Sequence, residues 1–160
     1  MTEKPQDRPI RRRDRALGEA EALEILDRST WGVLATVGED GWPYAVPLNH
    51  ALVDGALVLH CASSGHKLEN LAGEPRVSYC AVASEEVLPA ELATRYESAI
   101  VFGRARRVDN EAEKRAALEQ FGRRFAPEHP AEIQDSIAKD LGRVVVLRIE
   151  IERVTGKARR

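Results

Sequence analysis

The sequence predicts a mainly β protein with peripheral helices, in which six strands form an antiparallel barrel. Two observations predict this class. Six segments rich in Val, Leu, Ile and Ala have the pattern of strands, and short turns join most of them. The helical patterns are confined to the beginning of the chain and to connections, so they do not alternate with strands as in a doubly wound sheet. With 160 residues, of which 43% are hydrophobic and 5% aromatic, the chain is most simply one domain with an aliphatic core.

The first half of the chain predicts one helix followed by a hairpin and a third strand. Residues 19–28 group their apolar side chains on one side and begin with acidic residues, as an amphipathic helix does. Residues 31–37 and 44–53 have strand patterns separated by turn residues, and they predict the hairpin. Asp54-Gly55 is a tight-turn signal that leads into a strand at residues 56–61.

The middle of the chain predicts a short helix and two longer strands. The helix is predicted over residues 66–71 and the first of these strands over residues 76–83. Residues 84–95 are acidic and contain a proline, so we expect a loop there. Residues 96–108 predict the next strand, and Gly103 in its interior indicates a bulge or a close approach of backbones.

The C-terminal part predicts two helices and a last strand. Residues 111–125 have an amphipathic pattern whose stripe ends in two phenylalanines. Pro127 and Pro130 end this helix, and a weaker helical pattern follows over residues 131–141. Residues 144–154 alternate between aliphatic and charged side chains, as a half-buried strand does.

The charge pattern favours a protein that does not coat nucleic acid. The formal net charge is −2, and the basic residues near the N-terminus form only a local cluster. We interpret this cluster as a solvated tail or an arm on the domain surface; its arginines are Arg8, Arg11, Arg12, Arg13 and Arg15. No apolar run reaches the roughly 20 residues that span a bilayer, and the N-terminus lacks the apolar region of a signal peptide. We therefore expect a cytoplasmic protein without membrane contact.

The cysteines and histidines do not have metal-ligand spacing. Cys61 and Cys80 are too far apart for a C-x-x-C pattern, and we expect reduced thiols. His50 and His60 lie on different predicted strands and His66 lies beyond a turn, so we expect no metal site. His66 is the best candidate for a catalytic role, because it lies in the first turn of a helix beside a predicted anion site.

That anion site is predicted within residues 57–71, L-V-L-H-C-A-S-S-G-H-K-L-E-N-L. A strand pattern ends in a serine-rich turn that opens into a helix, whose first-turn amides have no intrahelical partner. Ser63 and Ser64 can add hydroxyl donors, Gly65 permits a close approach, and Lys67 adds a positive charge. A phosphate monoester would use all of these groups. The alternative is that Ser64 caps a surface helix and Lys67 is solvated.

A second feature is Pro47, which lies inside a strand pattern. Proline has no N–H, so it belongs at a sheet edge or a bulge. A flat heterocycle could lie against the gap, with the remaining amides and carbonyls of Val46 to Asn49 facing it. The alternative is a plain edge-strand proline.

Five segments in this order carry a family resemblance. They read G-V-L-A-T-V, G-W-P-Y-A-V-P-L-N-H, L-V-L-H-C-A-S-S-G-H-K-L-E-N-L, V-S-Y-C-A-V and Y-E-S-A-I-V-F-G-R-A. The chain resembles the FMN-binding split-barrel proteins related to pyridoxamine 5′-phosphate oxidase, and the nearest branch is that of the nitroimidazole-resistance (Nim) proteins. The similarity begins at about Arg11. It implies a tail over residues 1–10 and a single split-barrel domain over residues 11–160.

The resemblance implies a homodimer with two FMN sites at the subunit interface. The implied isoalloxazine-lining residues are Pro47, Leu48 and Asn49, and the residues along the ribityl chain and phosphate are His60, Ala62, Ser63 and Ser64. Lys67 would pair with the phosphate, with help from Asn70. From the second subunit the implied residues are Tyr96, Glu97 and Ser98. His66 matches a Nim histidine proposed to act near the substrate.

Three functions are compatible with these patterns. The first is an FMN-dependent oxidoreductase that reduces nitro groups, with an electron donor left open because the chain has no nicotinamide fingerprint. The second is a flavin-binding or flavin-storing module without turnover. The third is a haem-binding split-barrel protein with His50, His60 or His66 as the axial ligand. Lys67 and the serine turn favour a cofactor that carries a phosphate.

Overall fold

The computed structural model describes Pro5 and residues 7–160, so the predicted tail over residues 1–10 lies partly outside the described residues. The helices are α1 (Glu19–Arg28), α2 (His66–Gly73), α3 (Glu111–Phe125) and α4 (Pro130–Asp140). The strands are β1 (Ala16–Leu17), β2 (Trp31–Val37), β3 (Pro43–Asn49), β4 (Ala51–Val53), β5 (Ala56–Ala62), β6 (Arg76–Leu88), β7 (Ala93–Arg107) and β8 (Val144–Arg159). They form one antiparallel sheet in the order β3-β2-β6-β7-β8-β5-β4, with β1 beside β8.

The sheet curls into a split β-barrel, so the predicted fold class is confirmed. The helix over 19–28, the strand over 31–37 and the helix over 111–125 have the predicted bounds. Asp54 and Gly55 both have positive φ, as the tight turn between β4 and β5 requires. β3 is an edge strand, which explains how Pro47 is accommodated within it.

The strands differ from the prediction at three places. The predicted strand over 44–53 is two strands, because the chain breaks at His50. The predicted loop over 84–95 was largely wrong, because its backbone extends β6 and β7 as a hairpin beyond the barrel. A short β1 adds to the edge of β8. Cross-strand pairing, which local composition does not reveal, decides the last two cases.

The interior of the barrel is aliphatic, as expected. α1 packs across β6, β7 and β8, and its Ala22, Ile25 and Leu26 are fully buried in the main core. A smaller cluster lies outside the barrel, where α3 packs Ala117 and Phe121 against the sheet. No helix within the described part of the chain is long and apolar enough to cross a membrane. Both cysteines are free thiols.

Gly103 lies at a register shift between β7 and β8, so the predicted bulge is confirmed. A Cβ atom at this position would lie 2.2 Å from the Glu150 carbonyl oxygen and 3.0 Å from the Ile149 side chain. We expect Gly103→Ala to lower the free energy of unfolding by about 1–3 kcal/mol, measured by urea denaturation. Gly142→Ala is the control, because a Cβ there meets nothing within 4 Å. Equal stabilities of the two variants would contradict this prediction.

Candidate functional site

The turn between β5 and α2 forms a concentration of unpaired hydrogen-bond donors. Gly65 has φ 133° and ψ 165°, a conformation that is essentially reserved for glycine, and it caps α2 without a side-chain hydrogen bond. Its carbonyl accepts from the amides of Leu68 and Glu69. The donors left without a protein partner among the described residues are the backbone amides of His66 and Lys67 and the hydroxyls of Ser63 and Ser64. Ser64 is therefore not the cap of α2, contrary to the alternative weighed above.

Positive charge lies close to this turn. Burial raises the pKa of the Cys61 thiol at the end of β5, whereas the nearby Lys67 and Arg107 act to lower it. Both cations therefore lie near the same end of the barrel. Arg107 is also paired with Asp109 at 3.2 Å. Sequence reasoning missed Arg107; the only signal was the basic run R-A-R-R at the end of a predicted strand.

His66 and Asn70 connect α2 to the sheet. The His66 ring lies 4.2 Å from the Tyr44 ring of β3, centroid to centroid, with a tilt of 36°. His66 remains exposed on its other side. Asn70 is buried, and its amide donates to the Thr36 hydroxyl of β2 at 2.9 Å. Asn70 thus holds α2 against the sheet, and Tyr44 is a neighbour of the candidate site that the sequence did not single out.

The segment Pro47–Leu48–Asn49 at the edge of the sheet is anchored from its inner side. The Tyr79 hydroxyl lies 2.8 Å from the Leu48 carbonyl oxygen, and the Asn49 side-chain amide donates to the Thr30 carbonyl at 2.9 Å. Val46 and Leu48 are half-buried, whereas Pro47 and Asn49 are exposed on the other face of β3. The exposed edge of this segment stays accessible to a flat ring.

His50 and His60 lie apart from the turn. His50 is 0% exposed, and both ring nitrogens have protein partners, the Tyr79 hydroxyl and the Leu26 carbonyl. It therefore has no free nitrogen for an axial haem bond. His60 points away from the barrel interior into a cleft of about 400 Å³ between α3 and α4, where its ring packs edge-on against Phe121 at 4.6 Å. The surrounding apolar side chains desolvate the imidazole and lower the pKa of His60.

The three residues that the resemblance assigns to the second subunit lie on β7, and they contact β8, α1 and the C-terminus rather than the turn before α2. Tyr96 has Lys157 over its ring at 5.8 Å. Glu97 accepts hydrogen bonds from Arg28 at 2.8 Å and Arg160 at 3.0 Å, which hold the pKa of this carboxyl below its usual range. The Ser98 hydroxyl faces the Lys157 carbonyl at 3.4 Å. Within one chain, these residues and the turn are separate groups.

One face of the sheet is apolar and is not covered by any helix of the described residues. Directly paired residues on neighbouring strands form this outer face. They are, in order across the sheet, Pro47 on β3, Val33 on β2, Cys80 on β6 and Ile100 on β7. Its exposed large side chains are Trp31 (54%), Val82 (48%), Val37 (42%), Ile100 (38%) and Phe102 (36%). An exposed apolar patch of this extent is typical of an interaction surface. Among the described residues, no group of three or more His, Cys, Asp or Glu side chains could hold a metal ion.

The fold and the site define a class: a split-barrel protein with a turn rich in unpaired hydrogen-bond donors at the end of β5. The sequence profile of the family described as pyridoxamine 5′-phosphate oxidase matches residues 18–158. This match covers most of the chain, and the chain therefore belongs to that family. A search of curated proteins finds no match.

Solved structures show the same fold. The FAD and heme binding protein from Mycobacterium smegmatis is 26% identical over 88% of this chain and 71% of its own, with a TM-score of 0.76. A flavocytochrome from Azotobacter vinelandii is 19% identical, with 99% and 76% coverage and a TM-score of 0.80. A candidate 5-nitroimidazole antibiotic resistance protein from Bacteroides thetaiotaomicron is 22% identical, with 89% and 85% coverage and a TM-score of 0.72. The last two proteins are similar to this chain in fold alone, because their sequence identity is low.

Proposed function

We propose that this protein is an FMN-dependent oxidoreductase, with nitro-group reduction as its activity. The observation that carries the proposal is the group of unpaired donors at the turn, two hydroxyls and two amides beside Lys67. Such a group fits a phosphate monoester, because each donor can pair with a phosphate oxygen and the charge of Lys67 offsets part of the negative charge. Membership of a family named for an oxidase, and similarity to structures of FAD-binding proteins, support a flavin as the carrier of that phosphate.

The side chains divide the work of binding and proton transfer. FMN, when bound, supplies the electrons. Ser63, Ser64 and Lys67 bind the phosphate, and the exposed edge of Pro47–Leu48–Asn49 lies against the ring. His66 is held by Tyr44 and is open to solvent on its other side, so its imidazole can hold a proton for a substrate oxygen that gains negative charge.

We further propose a homodimer that completes each flavin site. The apolar outer face contains Pro47 itself, so a second copy packed on this face would approach the exposed edge of Pro47–Leu48–Asn49. Tyr96, Glu97 and Ser98 lie on the same sheet, beyond the apolar part of that face. Their position supports a contribution from the partner subunit to the flavin site.

The first test is the visible spectrum of the purified protein, with mass analysis of the molecule released on denaturation. We expect a visible flavin absorption band and about one FMN per chain, with bleaching when a reductant is added and return of the colour when a nitroimidazole then accepts the electrons. Released FMN in a protein that shows no turnover would contradict the oxidoreductase activity and support the flavin-storage function. A protein that neither contains nor binds FMN would exclude the proposal.

Replacing His66 separates catalysis from binding. We expect His66→Ala to keep FMN bound and to slow nitroreduction by about 100-fold or more, because a positioned proton donor is lost. Stopped-flow reoxidation of the reduced protein by a nitroimidazole measures this rate. His129→Ala, in an exposed histidine before α4, is the control and should retain the rate of the unmodified protein. An unchanged rate in His66→Ala would assign His66 a structural role.

A second candidate function is haem binding in the His60 cleft. One observation favours it: His50 is fully occupied, whereas His60 points into a cleft between α3 and α4 lined largely by apolar side chains. Added hemin should then give a Soret band that disappears in His60→Ala. Identical spectra for the two proteins would exclude His60 as an axial ligand.

A further inference from the structure

His50 occupies the break between β3 and β4, directly after the segment Pro47–Leu48–Asn49. The ring is fully buried and makes two hydrogen bonds. Its Nε2 lies 2.7 Å from the Leu26 carbonyl oxygen in the last turn of α1, and its Nδ1 lies 2.9 Å from the Tyr79 hydroxyl. Because a carbonyl can only accept, Nε2 must carry a proton. In a neutral imidazole, Nδ1 is then an acceptor.

The Tyr79 hydroxyl faces two acceptors with one proton. Its oxygen lies 2.9 Å from His50 Nδ1 and 2.8 Å from the Leu48 carbonyl oxygen. Burial raises the pKa of Tyr79, so the hydroxyl keeps its proton and can donate it only once. While His50 is neutral, the Leu48 carbonyl and Nδ1 compete for this one proton. When His50 gains a proton at Nδ1, it donates to Tyr79, and Tyr79 donates to Leu48.

We propose that His50 and Tyr79 are positioning residues whose shared proton determines how firmly the Leu48 carbonyl, and with it the flavin-lining segment, is held. The inference rests on the proposed flavin function. Neither side chain contacts the exposed edge of the segment, so both act through the Leu48 backbone. With His50 neutral, the Tyr79 proton is shared between the imidazole and the Leu48 carbonyl; with His50 protonated, the carbonyl alone accepts it.

Burial and the charged groups around His50 determine in which direction its pKa is shifted. Burial lowers the pKa of His50 most strongly, the hydrogen bond to Leu26 opposes this, Arg124 of α3 lowers the pKa further, and Asp27 of α1 raises it. Tyr79 of β6 is the remaining titratable group in contact. His50 therefore gains its proton below its ordinary pKa of 6.5. We expect Tyr79 to hold the Leu48 carbonyl less firmly near neutral pH and more firmly as the pH falls.

The first experiment follows the protein without flavin by NMR. We expect the His50 ring to be the Nε2–H tautomer at pH 8, and the ¹³C shift of the Leu48 carbonyl to move with the midpoint of the His50 titration. Tyr79→Phe should remove that movement, because the hydroxyl that connects the two groups is gone. A Leu48 carbonyl that stays constant while His50 titrates would overturn the proposal, as would a His50 ring that stays neutral to about pH 4.5.

The second experiment measures FMN affinity from pH 8 to pH 5 by flavin fluorescence. We divide the FMN affinity of the unmodified protein by that of His50→Gln at each pH. We expect this ratio to rise about fivefold as the pH falls, which corresponds to the free energy of one hydrogen bond. Titration of the flavin phosphate affects both proteins equally and cancels in this ratio. His129→Gln is the matched control and should give a constant ratio.

The two experiments separate the inference from the function on which it rests. Parallel pH profiles in a protein that binds FMN would overturn the positioning role alone. Absence of FMN binding at every pH would overturn the proposed function, and the NMR titration would still decide whether the Leu48 carbonyl follows the proton on His50.

Discussion

Replacing Ile100 with glutamate is expected to convert the proposed dimer into a monomer and to abolish flavin binding. Ile100 lies on the apolar outer face, directly opposite Cys80 on one side and Thr155 on the other. A carboxylate buried there in a dry interface would lack a partner, at a cost of about 2–4 kcal/mol in association free energy, roughly 30- to 700-fold in the dimer dissociation constant. Analytical ultracentrifugation measures the change in mass.

The matched control for this change is Phe125→Glu on α3. Ile100 and Phe125 are equally exposed, at 38% each, but Phe125 lies on a helix away from the sheet face. If exposure of an apolar side chain alone caused association, the two variants would behave alike. We expect Phe125→Glu to remain dimeric and to keep FMN. A dimeric Ile100→Glu variant would exclude the outer face as the interface, and a monomeric variant that retains FMN would place the whole site within one chain.

Replacing Lys67 with alanine is expected to weaken FMN binding by about 1.5–3 kcal/mol, roughly 12- to 140-fold, because a charge-assisted hydrogen bond to the phosphate is lost. The partner of Lys67 in this proposal is the phosphate and not the ring. Riboflavin, which lacks the phosphate, should therefore bind the variant and the unmodified protein equally. Isothermal titration with both flavins measures the two affinities, and the effect on FMN should shrink at high salt.

Lys139→Ala, in an exposed lysine of α4, is the control for the loss of one positive charge. It should leave both affinities unchanged. Equal losses for FMN and riboflavin in Lys67→Ala would mean that Lys67 supports the fold of the turn. Unchanged FMN affinity would remove Lys67 from the site and direct attention to Arg107, the other cation near Cys61.

Local chemistry explains which parts of this protein could be predicted. The serine turn, its glycine and the lysine that follows lie within five residues, so the donors at the start of α2 could be inferred from the chain order alone. Pro47 indicated an edge strand because it lacks an N–H, and Gly103 indicated a bulge because it lacks a side chain. These features depend on neighbours in sequence.

Other parts depend on residues that are distant in sequence. His50 and Tyr79 are 29 residues apart, and their contact forms only because β6 pairs with β2. The surroundings of the His60 side chain could not be predicted for the same reason, since only the packing of α3 and α4 creates the cleft that it faces. The strand extension after Ala83 also arises from pairing, because the acidic, proline-containing segment has little strand preference of its own.

The amino-acid sequence by itself determined the barrel class, the donor-rich turn before α2 and the edge position of Pro47–Leu48–Asn49, because turn residues, strand alternation and a missing N–H act over a few residues. Only the tertiary structure decided that His50 is a buried partner of the backbone, that Asn70 holds a helix, and that one sheet face keeps exposed apolar side chains among the described residues. Burial and hydrogen-bond partners are properties of the folded chain, since they depend on which distant strands and helices come into contact.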